Sequence, residues 1–298
     1  MEAVKSGAFK MLVIFILVII FSAAFAIFVH AVVPAPVAVE NLDGVLVKLI
    51  GFPAVATGYF ILLYIQCAIT IRYICKNNRT SYMQSGIRLG ISFALIYLVA
   101  MQEVFVEGSP FAEYGPEFIR YQFFMGLGDA IPAFILRIIV ARFTIINHNN
   151  KTDLVKGLNK KERVYAISII TLSFITERTV AYETGIVASN CDTYTIPCYI
   201  WTALFGIVLG FIYTILYPLI SNGRNAFLMP ISFSLIIGLN WIIFNSFMGL
   251  ILKNTMPQML LRSGLDVMVL FIDSYIIEKI IIKKEQMFTL ISKEKSDL

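Results

Sequence analysis

The sequence predicts an all-α polytopic membrane protein with eight transmembrane helices, built as two parallel four-helix repeats. Three observations carry this reading. The 298 residues are 58% hydrophobic and only 14% charged, with a mean hydropathy of +0.81, an apolar excess that a soluble domain cannot bury within itself. The apolar residues fall into eight runs, each close to the roughly 20 residues that one bilayer crossing needs. The basic residues gather in alternate connecting segments. Only helices satisfy the backbone polar groups of such runs within lipid.

The first run, Met11–Val33, exceeds the apolar region of about 7 to 15 residues found in a secretory signal, so it reads as a span. The others are Leu49–Ile71, Leu89–Val106, Phe118–Ala141, Val164–Val187, Ile196–Ile220, Ala226–Leu252 and Met256–Ile281. Orientation follows from lysine and arginine. Arg72, Lys76, Arg79 and Arg88 mark one cytoplasmic segment, and Arg142, Lys151, Lys156, Lys160, Lys161 and Arg163 mark another. Glu103, Glu107, Glu113 and Glu117, and then Glu183 and Asp192, mark outer segments without a base. A cell-membrane protein with both termini cytoplasmic is expected.

The predicted organisation is a first four-span repeat (1–145), a basic cytoplasmic linker (146–162), a second four-span repeat (163–282) and a cytoplasmic tail (283–298). Gly90–Leu95 reads GISFAL and Pro230–Leu235 reads PISFSL. The turns before them, Asn77-Asn78-Arg79 and Asn222-Gly223-Arg224, are also alike. In the fourth and eighth spans Asp129 aligns with Asp266, and Phe134-Ile135 with Phe271-Ile272. Units with an even number of spans enter the membrane in the same direction, which gives parallel repeats.

Repeat symmetry places Asp129 and Asp266 at equal depth, about 15 to 17 Å from the outer face at about 1.5 Å per residue. That is the middle of a hydrocarbon core about 30 Å thick. An acid there costs about 2.5 to 3.5 kcal/mol and needs a partner or a proton. The polar faces of the two spans are expected to meet, with Arg137 paired to Asp273 as a structural or gating pair. Asp129 and Asp266 are then free to bind a coupling ion or substrate. Arg262, four residues before Asp266, competes as its neutralising partner.

Glu177, Arg178 and Glu183 crowd the outer half of the fifth span, where they line an outward vestibule or form a wet helix end. Asn240 and Asn245 are expected to hydrogen-bond between helices. Pro132 should bend the fourth span beside Asp129. Cys191 and Cys198 can close an outer disulfide or stand as two thiols at a helix entrance, and Cys67 and Cys75 read as packing residues. The sequons at Asn78 and Asn150 fall on the cytoplasmic side. Two histidines and four cysteines supply no familiar metal spacing, so no metal and no cofactor are expected. The net charge of +5 reflects orientation, so no nucleic-acid partner is expected.

Gly126-Leu127-Gly128-Asp129, followed by Ile131-Pro132, resembles the Gly-x-Gly-Asp motif of the intramembrane aspartyl proteases, the presenilin and signal peptide peptidase group. The resemblance covers about a dozen residues and implies that Asp129 is one of two catalytic acids. The family's Tyr-Asp and Pro-Ala-Leu motifs are missing, and the acid lies on span four of eight, whereas the family carries it on span seven of nine. Only Asp266 can serve as the second acid.

The function expected from these features is a secondary transporter or permease-like carrier of a small solute, coupled to a proton or cation at midplane acids. The alternatives are a non-transporting sensor, assembly or interaction protein that engages other membrane subunits, and a protease of the kind just named. No GxxxxGK[ST] phosphate loop occurs, so any ATP drive needs a partner subunit.

Overall fold

The structure is a computed structural model that describes residues 2–34, 42–77, 81–105, 115–144, 157–221 and 228–296. It is all-helical, with 89% of it helix. In chain order the helices are α1 (Glu2–Val32), α2 (Val45–Ile50), α3 (Phe52–Asn77), α4 (Tyr82–Ala100), α5 (Gly115–Thr144), α6 (Lys160–Glu183), α7 (Thr195–Ile220), α8 (Leu228–Phe233), α9 (Leu239–Ile251) and α10 (Met256–Ser296). A 3-10 turn, Met101–Phe105, extends α4, and a π turn, Ser234–Gly238, joins α8 to α9 as one rod.

Seven helical stretches are long and apolar enough to cross a membrane, so the protein is a multi-pass helical membrane protein. Their flanks carry exposed large apolar residues, among them Leu17, Phe21, Ile69, Leu172, Ile200 and Leu235, as lipid-facing surfaces do. The eighth expected crossing is the first part of α10, which is helical but carries Arg262, Asp266, Asp273 and Glu278.

Local chemistry sets several ends. Ser81 caps α4 by accepting from the Gln84 amide at 3.2 Å, so this helix begins before the apolar run that reveals it in the sequence. Asn159 and Glu162 form a reciprocal capping box at the start of α6, satisfying two otherwise orphan amides. Gly51, at φ +84°, separates α2 from α3 with a conformation that favours glycine. The Asn78-Arg79 and Asn222–Arg224 turns, Asn150, Glu107, Glu113 and most of the expected linker lie outside the described residues.

Within the amino-terminal half, α1 packs on α3 and α5, α3 on α4 and α5, and α4 on α5. Within the other half, α6 packs on α7 and α10, α7 on α8, and α8 and α9 on α10. The halves meet where α4 packs on α7 and α3 on α9. Glycines let two of these pairs come close. A Cβ on Gly86 would lie 3.0 Å from Ile138 Cα, and one on Gly210 would lie 2.7 Å from Ile167 Cα. Gly44 approaches the Leu250 carbonyl so closely that no Cβ fits, and its amide donates to the Ile251 carbonyl at 2.9 Å. This ties α2 to the end of α9.

Candidate functional site

Three arginines, Arg137, Arg178 and Arg262, are the largest fully buried side chains. Burying a charge is costly unless it is paired and hydrogen-bonded, so these three show where the interior is polar.

Arg178 on α6 is the centre of one cluster. Its Nε donates to Asp266 Oδ1 at 2.8 Å and its Nη2 to Asp266 Oδ2 at 2.6 Å. This two-pronged arrangement is the strong form of the arginine–carboxylate pair. Nη1 lies 2.6 Å from the Tyr182 hydroxyl and 2.9 Å from Glu103 Oε1. Trp241 Nε1 donates to Asp266 Oδ2 at 2.7 Å. Arg262 Nε lies 3.3 Å from Glu103 Oε1. Glu177 completes the set, with Oε2 3.7 Å from Arg178 Nε. Three carboxyl groups therefore face two guanidiniums in a nearly dry space.

The cluster departs from expectation in three ways. Arg178 is in the core, so Glu177, Arg178 and Glu183 do not line a shared open vestibule, and of the three only Glu183 lies at an exposed helix end. Glu183 is exposed and accepts from Tyr199 at 2.8 Å. Arg262 turns to Glu103 instead of running along its own helix to Asp266. Glu103, which the sequence presents as an outer-loop acid, is only 3% exposed. The 3-10 turn after α4 carries it inward. An acid on a mainly apolar stretch was the available signal.

Asp129 on α5 occupies a second site. It is fully buried and its Oδ1 lies 3.2 Å from His30 Nε2 of α1. Its own carbonyl accepts from the Tyr64 hydroxyl at 3.3 Å. Pro132 lies inside α5 without ending it. The expectation that Asp129 and Asp266 share one site is wrong: α5 packs on α1, α3 and α4, whereas α10 packs on α6, α8 and α9. Each acid is met by the first helix of its own half. The paired acids implied by the Gly-x-Gly-Asp resemblance are not assembled.

Arg137 and Asp273 do not pair either. Asp273 is 2% exposed and hydrogen-bonds with Ser173 of α6. Arg137 points into the joint between the halves. Its Nη1 donates to the Ala133 carbonyl at 3.1 Å, its Nη2 to Cys67 Sγ at 3.0 Å, and the guanidinium lies over the Phe93 ring at 3.4 Å. Cys67 Sγ is also 3.3 Å from the Tyr97 hydroxyl. Asn240 Nδ2 reaches Gln66 Oε1 at 2.8 Å and Tyr97 at 2.9 Å. Asn240 thus bonds between helices. Asn245 instead donates to the Trp241 carbonyl of its own helix at 3.3 Å. Gln66, Cys67 and Tyr97 were not singled out as polar partners, because each is ordinary until four helices bring them together.

The π turn explains how one rod serves both places. Its wider turn ends at Gly238, just before Asn240 and Trp241, and such turns recur at functional sites. Asn240 enters the Arg137 node while its neighbour Trp241 enters the Arg178 cluster. Between them runs a row of rings: Trp201–Phe205 at 5.1 Å, Phe205–Trp241 at 4.8 Å, Trp241–Phe244 at 6.0 Å and Phe244–Tyr97 at 5.3 Å. Cys191 and Cys198 are joined as a disulfide that ties the segment before α7 to its first turn. No group of three metal-binding side chains occurs among the described residues. No family model, no curated protein and no solved structure matches the chain.

Proposed function

We propose that the protein is a secondary carrier of the cell membrane that moves a small solute together with a proton. The observation that carries this is the charge inventory around Arg178: Glu103, Glu177 and Asp266 against Arg178 and Arg262. Three carboxyl groups against two guanidiniums leave one acid of the set without a cation of its own, and that is the place for a transported proton. An ionisable set inside a span is a functional site by default, and proton relays are one of its main uses.

The carrier is two four-helix halves, 1–145 and 163–282, related by an axis along the membrane normal. Helix pairings support this. The pairs α1/α5, α1/α3 and α4/α5 correspond to α6/α10, α6/α7 and α9/α10, and the cross-contacts α4/α7 and α3/α9 exchange under the same operation. His30 with Asp129 and Arg178 with Asp266 occupy corresponding helices. In this reading α10 is the eighth crossing and both termini lie in the cytoplasm. A non-transporting interaction protein is the second reading. It is favoured by an apolar recess of about 360 Å³ between α1 and α5, lined by Leu17, Phe21, Phe25, Ile131, Ile135 and Ile139, which faces the bundle's flank.

The test uses proteoliposomes under an inward acid gradient, a luminal pH dye and a panel of metabolite-sized solutes. At least one solute should carry protons inward with the wild type and not with Glu177→Gln. If no solute moves protons through folded protein in tight vesicles, the carrier reading falls and the interaction reading takes its place.

A further inference from the structure

Of the three fully buried arginines, two lie within 4.0 Å of the same acid, Glu103. Arg137 has no carboxylate within that distance among the described residues. What meets it is a carbonyl, the Cys67 sulfur and the face of Phe93. Its Nε is buried without a hydrogen-bond partner, and so is Oδ1 of the nearby Asn240. An aromatic face and a thiol return less than an unpaired buried guanidinium loses in leaving water. One positive charge is unanswered at the joint between the halves.

Around that charge the Asn240 amide nitrogen is taken up by Gln66 Oε1 and the Tyr97 hydroxyl, and Arg137 Nη1 and Nη2 by the Ala133 carbonyl and Cys67 Sγ, which leaves Arg137 Nε as the free donor. The groups converge from α9, α3, α4 and α5. Cys67 Sγ is at their focus, 3.0 Å from Arg137 Nη2, 3.3 Å from Tyr97 Oη and 3.8 Å from Asn240 Nδ2. A single buried guanidinium with a free Nε selects a monovalent anion, and its planar shape suits a carboxylate or another small oxyanion. The surrounding side chains are fully buried, which limits the ligand to a few heavy atoms.

We propose that Arg137, at the node beside Asn240, binds a small monovalent anion of formate, acetate or nitrate size. Resting on the carrier reading above, this anion is the solute that accompanies the proton. Proton plus monoanion is electrically neutral, so its movement is not opposed by the membrane potential. Asn240 and Trp241, adjacent on one rod, give the anion node and the proton cluster a common element. The node also lies where the halves meet, as substrate sites of repeat-built carriers do.

The experiment is thermal unfolding of the full-length protein in detergent with sodium formate, acetate, nitrate or chloride, against sodium gluconate at equal ionic strength. One or more of the small anions should raise the midpoint in a saturable way for the wild type. Arg137→Gln should lose the response. Asn240→Asp, which brings a carboxylate to the node, should weaken it about tenfold or more. That variant also guards against a poorly folded Arg137→Gln protein. Equal midpoints in all five salts overturn the anion site. So does a Cys67-dependent thiolate absorbance at neutral pH, which would make Cys67 the counter-ion. An Arg137-dependent anion response with no proton movement in vesicles overturns the carrier and leaves the anion site standing. Proton-coupled uptake of some other solute, with no anion response, does the reverse.

Discussion

Arg178 grips Asp266 with two parallel hydrogen bonds of 2.8 and 2.6 Å across 88 residues of chain. The pair locks α6 to α10, and Trp241 adds a third donor from α9. A charge-assisted clamp of this kind fixes which faces three helices present to one another, because no other rotation of α10 brings its acid to two guanidinium nitrogens and an indole.

Breaking that clamp at Asp266 leaves Arg178 with Glu103 at 2.9 Å and Glu177 at 3.7 Å. Asp266→Asn should therefore destabilise the protein by about 1.5 to 3 kcal/mol, the worth of a hydrogen bond to a charged group, read as a lower denaturation midpoint in detergent. Arg178→Met with Asp266→Leu together should cost less than the sum of the single changes. Strict additivity would mean that the two side chains do not act as a pair.

The two tryptophans give a contrast between hydrogen bonds. Trp241 donates to a carboxylate, Trp201 to the neutral Val99 carbonyl at 2.9 Å. Trp241→Phe should cost about 1.5 to 3 kcal/mol and Trp201→Phe about 0.5 to 1.5 kcal/mol. Denaturant titrations of the two variants check the order, and a larger loss at Trp201 counts against the charged cluster.

Close approach of α6 and α7 depends on Gly210, where an added Cβ lies 2.7 Å from Ile167 Cα. Gly210→Leu should cost about 1 to 3 kcal/mol through overpacking. Gly58→Leu, at a position with no atom within 4 Å of the added Cβ, should change stability little. Equal losses at both positions would mean that close packing at Gly210 is not the cause, since leucine is the better helix former at either site.

The cysteines report which end of the bundle faces out. Cys67 and Cys75 are buried, and Cys191 and Cys198 are bonded to each other. In intact cells a membrane-impermeant maleimide should label the protein only after mild reduction. Cys191→Ser with Cys198→Ser should abolish that labelling. Labelling that requires permeabilised cells would reverse the orientation read from the basic segments.

The amino-acid order alone determined the helical class, seven of the spans to within a turn or two and the burial of the acids on the fourth and eighth apolar runs, though not that of Glu103, because apolar periodicity and the cost of charge in lipid act locally along the chain. Asp129, Asp266, Asp273 and Asn240 are all buried. Partner choice was decided only by the tertiary structure. Arg137 with Asp273 and Asp129 with Asp266 look compatible by depth, but depth is one coordinate. Rotation about each helix axis and the order of neighbours supply the rest, and packing sets both. Asp129 thereby meets His30, Asp266 meets Arg178, and Arg137 is left with no carboxylate among the described residues within 4.0 Å where the two halves join.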